Sequence, residues 1–206
     1  MIEHKVAHVL SFALAVLIFP LTGGFPMTTM EIQKSDFLYA LSAPGCSPEI
    51  PESDDAYGWL VGNWKLDVFD HLPDGNVRRG NGEVHFGWVL EGRAIQDVWI
   101  MPQLSDRSPT LGKEGNRYGT TLRVWDPTIR AWRATWINPV TGRRDELVGR
   151  RIGNDIIQIG THEDGTPIRW NFTEITSDSF RWTGEVLEAN GKTWKLEAEF
   201  HATRMK

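Results

Sequence analysis

Cysteine is almost absent from this chain of 206 residues, which contains only Cys46. A lone cysteine can form neither an intramolecular disulfide nor a thiolate metal cluster, so both are excluded. Cys46 lies in a loop-like stretch rich in proline and glycine, with no histidine close to it in sequence. We therefore interpret it as a loop thiol and not as a catalytic nucleophile.

An excess of positive charge is also missing, since the formal net charge is -5 and the isoelectric point is about 5.7. Binding to a phosphate backbone favours a clustered positive field, so we expect no nucleic-acid partner. Arginines do cluster within Arg143–Arg151, but acidic residues are interleaved with them. This mixture is typical of a solvated strand face.

The chain has no apolar run of the length that a membrane-spanning helix needs. The run Val9–Phe19 is too short, although it resembles the apolar part of a signal peptide. Glu3 and the lack of an A-x-A cleavage site speak against that reading. If residues 1–24 are a signal peptide, the protein is secreted or periplasmic; if translation starts at Met27 or Met30, it is cytoplasmic.

Motifs of several enzyme classes are missing as well. No G-x-S-x-G elbow and no phosphate-cradling glycine motif is present. The histidines show no H-x-H or H-E-x-x-H spacing, so we expect no metal site.

Tryptophan, in contrast, is abundant, with ten residues against three tyrosines. Each indole buries a large flat surface and carries one N–H group that needs a partner. The count therefore indicates either a wide aromatic core or a pocket with aromatic walls.

From Trp59 onward, short runs of alternating polarity are separated by turn residues, a pattern typical of antiparallel strands. We predict an all-β fold: a single up-and-down antiparallel β-barrel of about ten strands, since closure removes exposed sheet edges. An immunoglobulin-like sandwich is disfavoured because there is no cysteine pair. The predicted strands are Trp59–His71, Gly82–Leu90, Arg93–Met101, Tyr118–Asp126, Ala131–Ile137, Arg143–Ile152, Asp155–His162, Ile168–Ile175, Ser179–Leu187 and Thr193–Arg204.

The predicted organisation is an N-terminal extension, residues 1–56, followed by the barrel domain, residues 57–206. Within the extension, Ile32–Leu41 is a candidate short helix and Ala43–Asp55 a linker. The long insertion Pro102–Asn116 is interpreted as a lid at the barrel mouth or as an exposed excursion.

Because successive side chains of a strand point to opposite faces, alternation predicts which residues face the interior. A β-bulge would reverse this assignment, and Gly87, Gly149, Gly160 and Gly184 are candidate bulge sites. The predicted inward residues are Val84, Phe86, Trp88, Leu90, Tyr118, Thr120, Leu122, Val124, Trp132, Ala134, Trp136, Ile168, Trp170, Phe172, Phe180, Trp182, Val186, Trp194, Leu196, Ala198, Phe200, Ala202 and Arg204.

The segment Leu60–Trp64 opens the first strand and Arg204 closes the last. Together they resemble the G-x-W motif and the terminal arginine of the lipocalin and calycin barrels. The resemblance implies that Arg204 stacks on Trp64 and closes one end of the barrel. Such a cation–π contact contributes about 0.5–2 kcal/mol.

Three further stretches, Gly92–Trp99, Gly119–Asp126 and Trp170–Thr176, resemble the uncharacterised bacterial lipocalin-like domain family. That resemblance covers nearly all of residues 57–204. The family is similar in fold to ligand carriers but has no settled activity, so the resemblance implies a fold rather than a function.

More distantly, the layout is similar to nitrobindin-like barrels, which hold haem through a histidine near the C-terminus. His201 lies in the corresponding region, but alternation places it on the face opposite Phe200. The first strand also lacks the glycines that nitrobindins show after the tryptophan. Haem is therefore disfavoured, and we expect no cofactor.

Two functional hypotheses remain. A further possibility is that side chains fill the barrel completely and that the protein acts through its outer surface. The first hypothesis is binding of a small hydrophobic molecule, with Gln96 or Tyr118 as a polar contact. The candidate walls of that site are Trp88, Trp132, Trp136, Trp170 and Phe172.

The second hypothesis is an isomerase, hydratase or cyclase with Asp97 or His85 as acid or base. A simpler interpretation is that Asp97 and His85, together with Glu83 and Arg123, belong to a charged outer face. Catalysis needs a titratable side chain that points into the cavity, whereas a carrier needs none. The oligomeric state is not determined by the sequence.

Overall fold

The computed structural model describes residues 36–206, so the signal-peptide and start-site hypotheses lie outside the described residues. Residues 36–41 are helical, within the predicted helix. None of the helices in this part of the chain combines the length and the apolarity needed to cross a bilayer. The strands are β1 Gly62–His71, β2 Val77–Val89, β3 Ala94–Met101, β4 Arg117–Asp126, β5 Ala131–Asn138, β6 Arg143–Ile152, β7 Asp155–Thr161, β8 Pro167–Thr173, β9 Ser179–Leu187 and β10 Trp194–Arg204.

The ten strands form one closed antiparallel barrel in which each strand pairs with its neighbours in sequence. β1 pairs with β10, with Trp64 opposite Arg204, and this pairing closes the sheet. The predicted all-β barrel is therefore confirmed. The main differences are that Gly58–Leu60 forms a 3-10 turn before β1, and that β2 begins at Val77 instead of Gly82.

The predicted inward faces of β2, β5, β8 and β9 match the burial of their side chains. The alternation fails at one end of β2, because Leu90 lies in a 3-10 turn after the strand and is 46% exposed. The buried aromatic side chains of these four strands are Phe86, Trp88, Trp132, Trp136, Trp170, Phe172, Phe180 and Trp182.

The prediction for β4 was wrong, since its inward face carries Gly119, Thr121 and Arg123 and not Tyr118 and Val124. The prediction assumed that the apolar side chains face inward. In β4 the polar side chains do so instead, and Arg123 pairs there with the carboxylate of Asp97 on β3. Tyr118 and Val124 lie on the outer face, where they are partly exposed to solvent.

The prediction for β10 was correct from Ala198 onward and wrong before it. The pairing register with β9 shifts between Leu196 and Ala198, which marks a β-bulge opposite Gly184 and Glu185. Trp194 and Leu196 consequently share the outer face with Glu185, to which Leu196 is paired. One extra residue in a strand reverses the alternation on one side of it.

The segment predicted as a linker packs across one end of the barrel. The Ala43 N–H donates to the Trp88 carbonyl in β2, and the Ser47 N–H donates to the Gly92 carbonyl after it. Ile50 and Ala56 are buried in the core, as is Tyr57, the first residue of the predicted domain. Gly149 makes the burial of Tyr57 possible, because a Cβ atom there would lie 2.1 Å from the Tyr57 hydroxyl. The described part of the extension therefore contributes to the barrel core.

Arg204 connects the last strand to this covered end. Its guanidinium carbon lies 4.0 Å from the centroid of the Trp64 ring. The same side chain donates hydrogen bonds to the carbonyls of Trp59, Val61 and Ser177. One residue thus ties together the segment before β1, the β8–β9 turn and β10.

We expect Arg204→Ala to lower the free energy of unfolding by about 2–4 kcal/mol, because it removes a cation–π contact and three hydrogen bonds. Urea denaturation measures the change. Arg204→Lys should recover little, since an ammonium group does not reproduce the planar donor fork. Arg79→Ala is the control, because Arg79 stacks on Phe69 on the outer face; a comparable loss there would contradict a special role for Arg204.

Candidate functional site

A cavity of about 120 Å³ occupies the half of the barrel away from the covered end. It lies near the point where β3 ends and β4 begins, and no residue of the 102–116 loop is among those that line it. The lining residues are Trp99, Met101, Arg117, Thr121, Arg123, Trp136, Arg143, Trp170, Trp182, Gly184, Glu197, Ala198 and Phe200.

The walls of the cavity are aromatic and packed against one another. The rings of Trp182 and Phe200 are stacked, with centroids 4.6 Å apart and an interplanar angle of 6°. Trp99 and Trp170 contact the Trp182 ring at centroid distances of 5.9 and 5.6 Å. Gly184 leaves room for this arrangement, since a Cβ atom there would lie 2.7 Å from the Trp182 ring. Mutual packing restricts ring rotation, so the walls are pre-organised.

An ion pair lies in the interior below these walls. Arg123 Nη1 donates to Asp97 Oδ2 at 2.5 Å, and both side chains are buried. The Thr121 N–H donates to the other carboxylate oxygen, and Arg123 Nε donates to Gln158 Oε1. Each carboxylate oxygen therefore has a donor, as a buried charge requires.

Tyr57 links this ion pair to the covered end of the barrel. Its hydroxyl donates to Gln158 Oε1 at 3.1 Å, and its ring lies 5.2 Å from the Arg123 guanidinium carbon. Burial raises the pKa of the Tyr57 hydroxyl far above its ordinary value, so it remains a neutral donor. The phenol contributes a hydrogen bond and an aromatic face without adding a charge.

Two more arginines line the cavity nearer its mouth, and each has a buried aspartate behind it. Arg117 donates to Asp70 at 2.5 Å, and Arg143 donates to Asp145 at 2.7 Å. Arg117 is 25% exposed and Arg143 45% exposed, whereas the two aspartates are 9% and 1% exposed. The guanidinium groups are thus held in place from behind while they border the cavity.

Glu197 also lines the cavity, and alternation had assigned it to the outer face. The β-bulge in β10 accounts for the difference, because it turns the strand at Leu196–Ala198. The carboxylate forms no ion pair with any residue from 36 to 206. Bulges are common next to functional sites, where they redirect a side chain.

Of the predicted wall residues, the structure brings Trp136 and Trp170 together in the cavity. Trp88, Trp132 and Phe172 are buried in the core near the covered end instead. Trp88 packs on Trp132 at a centroid distance of 6.3 Å, and Phe172 packs on Tyr57 at 6.2 Å. These three residues do not line the cavity.

Neither predicted polar contact reaches the cavity. Gln96 and Tyr118 both lie on the outer face, where Gln96 Nε2 donates to Thr120 Oγ1 at 3.0 Å. Tyr118 faces outward because β4 turns its polar residues inward. Polar residues do line the cavity, namely Arg117, Thr121, Arg123, Arg143 and Glu197. Thr121 and Arg123 lie two residues apart and so share one face of β4, a sequence signal that apolar alternation missed.

The two acid–base candidates are not among the residues that line the cavity. Asp97 does face the interior, so its assignment to a charged outer face was wrong, as was that of Arg123. Its carboxylate is occupied by Arg123 and by the Thr121 N–H. His85 lies on the outer face, where its Nδ1 is 2.8 Å from Asn63 Oδ1.

His201 lies on the outer face of β10, as alternation predicted, and contacts the Glu199 carboxylate at 2.5 Å. A hydrogen bond from Arg181, with that from His201, lowers the pKa of Glu199. Within residues 36–206, no three histidine, cysteine, aspartate or glutamate side chains are grouped so that they could hold a metal ion.

No protein-family model matches this chain, and no curated protein sequence does either. The barrel is similar to solved structures, among them that of Rv2717c from M. tuberculosis, with a TM-score of 0.50 and 14% sequence identity. The match covers 76% of this chain and 99% of that chain. At this level of identity the similarity shows the fold alone.

We expect Asp97→Asn to lower the free energy of unfolding by about 3–5 kcal/mol, because it leaves the buried Arg123 charge without a counter-ion. The double variant Asp97→Leu/Arg123→Met should recover most of that loss, since it removes both charges. Urea denaturation of wild type, Asp97→Leu, Arg123→Met and the double variant measures the coupling, and Asp97→Asn is measured beside this cycle.

The control for this cycle is Glu146→Gln, which breaks an exposed pair with Arg144 and should cost about 0–1 kcal/mol. If Asp97→Asn costs no more than Glu146→Gln, the buried ion pair is not a stabilising element of the interior.

Proposed function

We propose that the barrel binds a small molecule with an apolar ring in the cavity described above. The observation that carries this proposal is the cavity of about 120 Å³ whose walls are Trp99, Trp136, Trp170, Trp182 and Phe200. Flat aromatic walls with fixed orientations favour a flat ligand, because stacked and edge-on ring contacts add to the free energy of burial.

The volume of the cavity indicates the size of this ligand. An apolar cavity of about 150 Å³ in another protein holds one benzene molecule. The cavity here is of similar size, so it suits one ring with a small substituent and not a long acyl chain. A ligand of this size would contact most of the wall residues at once.

Binding without chemical change is proposed because neither predicted acid–base candidate, Asp97 or His85, lines the cavity, and the carboxylate that does, that of Glu197, is exposed at the rim. A general acid or base must come within hydrogen-bond reach of the reacting atom. Asp97 has both oxygens engaged by donors, and His85 is on the outer face. A carrier, in contrast, needs only a cavity of suitable shape.

The same proposal includes a relationship to the lipocalin and calycin barrels. Its support is the contact between Trp64 and Arg204, which joins the first strand to the last at the covered end. In such an arrangement one end of the barrel is shut and the other receives the ligand.

Saturation-transfer NMR with neutral probes of increasing size tests the proposal. We expect signals for benzyl alcohol and weak or no signals for dodecanol. Ala198→Leu places a larger side chain in the cavity and should weaken benzyl alcohol binding at least about tenfold, since it fills the space that one ring needs.

The matched control is Thr203→Leu, which adds a similar side chain to the exposed face of the same strand. It should leave binding unchanged. No signal from benzyl alcohol, or equal binding by wild type and Ala198→Leu, would contradict a ligand site in this cavity.

A further inference from the structure

The tryptophans of the barrel fall into two groups by the state of their N–H groups. Near the covered end, Trp59, Trp64 and Trp132 donate to backbone carbonyls at 2.7–2.9 Å. The four that wall the cavity, Trp99, Trp136, Trp170 and Trp182, have no hydrogen-bond partner within the described residues, and neither do Trp88, Trp125 and Trp194, which do not line the cavity. A buried indole N–H usually has a partner, so four free ones around one cavity need an explanation.

The four free N–H groups are not sealed inside the protein. The side-chain nitrogen and oxygen atoms that are fully buried without a partner, within residues 36–206, belong to His71, Gln158 and Asn171. The four indole nitrogens are not among them although their side chains are over nine-tenths buried, so each borders open space. The rings to which these nitrogens belong line the cavity.

Arg123 and Thr121 add donors of the same kind. Arg123 is 1% exposed, and two of its three nitrogens are used, by Asp97 and Gln158. Its Nη2 has no partner among the described residues, although the side chain lines the cavity. The Thr121 hydroxyl, two residues away on the same strand face, is likewise without a partner there.

The positively charged side chains around the cavity line it, whereas the carboxylates paired with them do not. Arg117, Arg123 and Arg143 line the cavity, whereas Asp70, Asp97 and Asp145, which hold them, do not. A ligand in the cavity is therefore closer to three guanidinium groups than to their counter-ions. In a site with little water, this arrangement favours negative charge on the ligand.

We propose that the ligand is an aromatic carboxylate: one ring held between the indoles, with the carboxylate accepting hydrogen bonds from the indole N–H groups, Thr121 and Arg123. This inference rests on the proposed function and specifies the chemistry of its ligand. A carboxylate has acceptor sites only, which matches a lining rich in donors. Glu197 is the exception, an exposed carboxylate on the rim that opposes the ligand's charge.

Four probes of nearly equal size and shape test this inference: benzoate, benzamide, benzyl alcohol and benzylammonium. Their affinities for the full-length wild-type protein are measured by NMR titration at constant pH and ionic strength. We expect benzoate to bind at least about tenfold more tightly than benzyl alcohol, since hydrogen bonds to a charged group are the stronger ones. Benzylammonium should bind most weakly.

Replacing a tryptophan by phenylalanine keeps an aromatic ring in the cavity wall but removes its N–H donor. Such variants show where the carboxylate of the ligand binds. Trp136→Phe and Trp99→Phe should each weaken benzoate binding about three- to tenfold and change benzyl alcohol binding less. Trp194→Phe, on the outer face, is the matched control and should change neither. Glu197→Gln should strengthen benzoate binding, because it removes a negative charge from the rim. Arg123 is left unchanged in this test, since its removal would leave Asp97 unpaired.

The outcomes separate the two proposals. If benzyl alcohol or benzylammonium binds as tightly as benzoate, or if Glu197→Gln weakens benzoate binding, the aromatic carboxylate is ruled out while a ring-binding cavity stands. If none of the four probes binds, both proposals fail. Preference for benzoate that is reduced by the cavity variants and not by Trp194→Phe supports both.

Discussion

The ion pair between Arg123 and Asp97 is the constraint on which much of the interior depends. Two charges inside an aromatic barrel are tolerated when they are paired and bonded to further polar groups. The Thr121 N–H bonds to Asp97, Gln158 accepts from Arg123, and the Tyr57 hydroxyl bonds to Gln158. The pair therefore orders side chains from β3, β4 and β7 and from the segment before β1 around a single point.

The barrel interior differs on the two sides of this ion pair. On one side of the ion pair, the N-terminal segment brings in Tyr57 and Trp59, and Arg204 covers Trp64, so indole N–H groups find backbone partners. On the other side, the tryptophan rings surround open space. A barrel of ten strands has more interior than its side chains fill once one end is packed in this way. Four indole N–H groups without a partner among the described residues belong to rings that line this open half.

The open half combines features that suit recognition of an aromatic anion. Ring stacking between Trp182 and Phe200 fixes a flat wall, and Gly184 keeps the space beside it clear. Buried aspartates orient the arginines, so the guanidinium groups need little reorganisation when a ligand enters. The bulge in β10 places Glu197 at the rim, where its charge can discriminate between ligands.

The number of strands, their antiparallel order and the inward faces of β5, β8 and β9 followed from the sequence, because alternation and turn residues are local signals. Alternation also predicted that Trp136 and Trp170 face the interior, and both line the cavity. Tertiary structure alone decided the faces of β3 and β4, since Asp97 and Arg123 are stable inside only as a pair that strand pairing brings together. It also decided the face of Glu197, because a bulge depends on how two strands pair. The sequence offered Gly184 on β9 as a bulge site, but the extra residue lies opposite it, in β10.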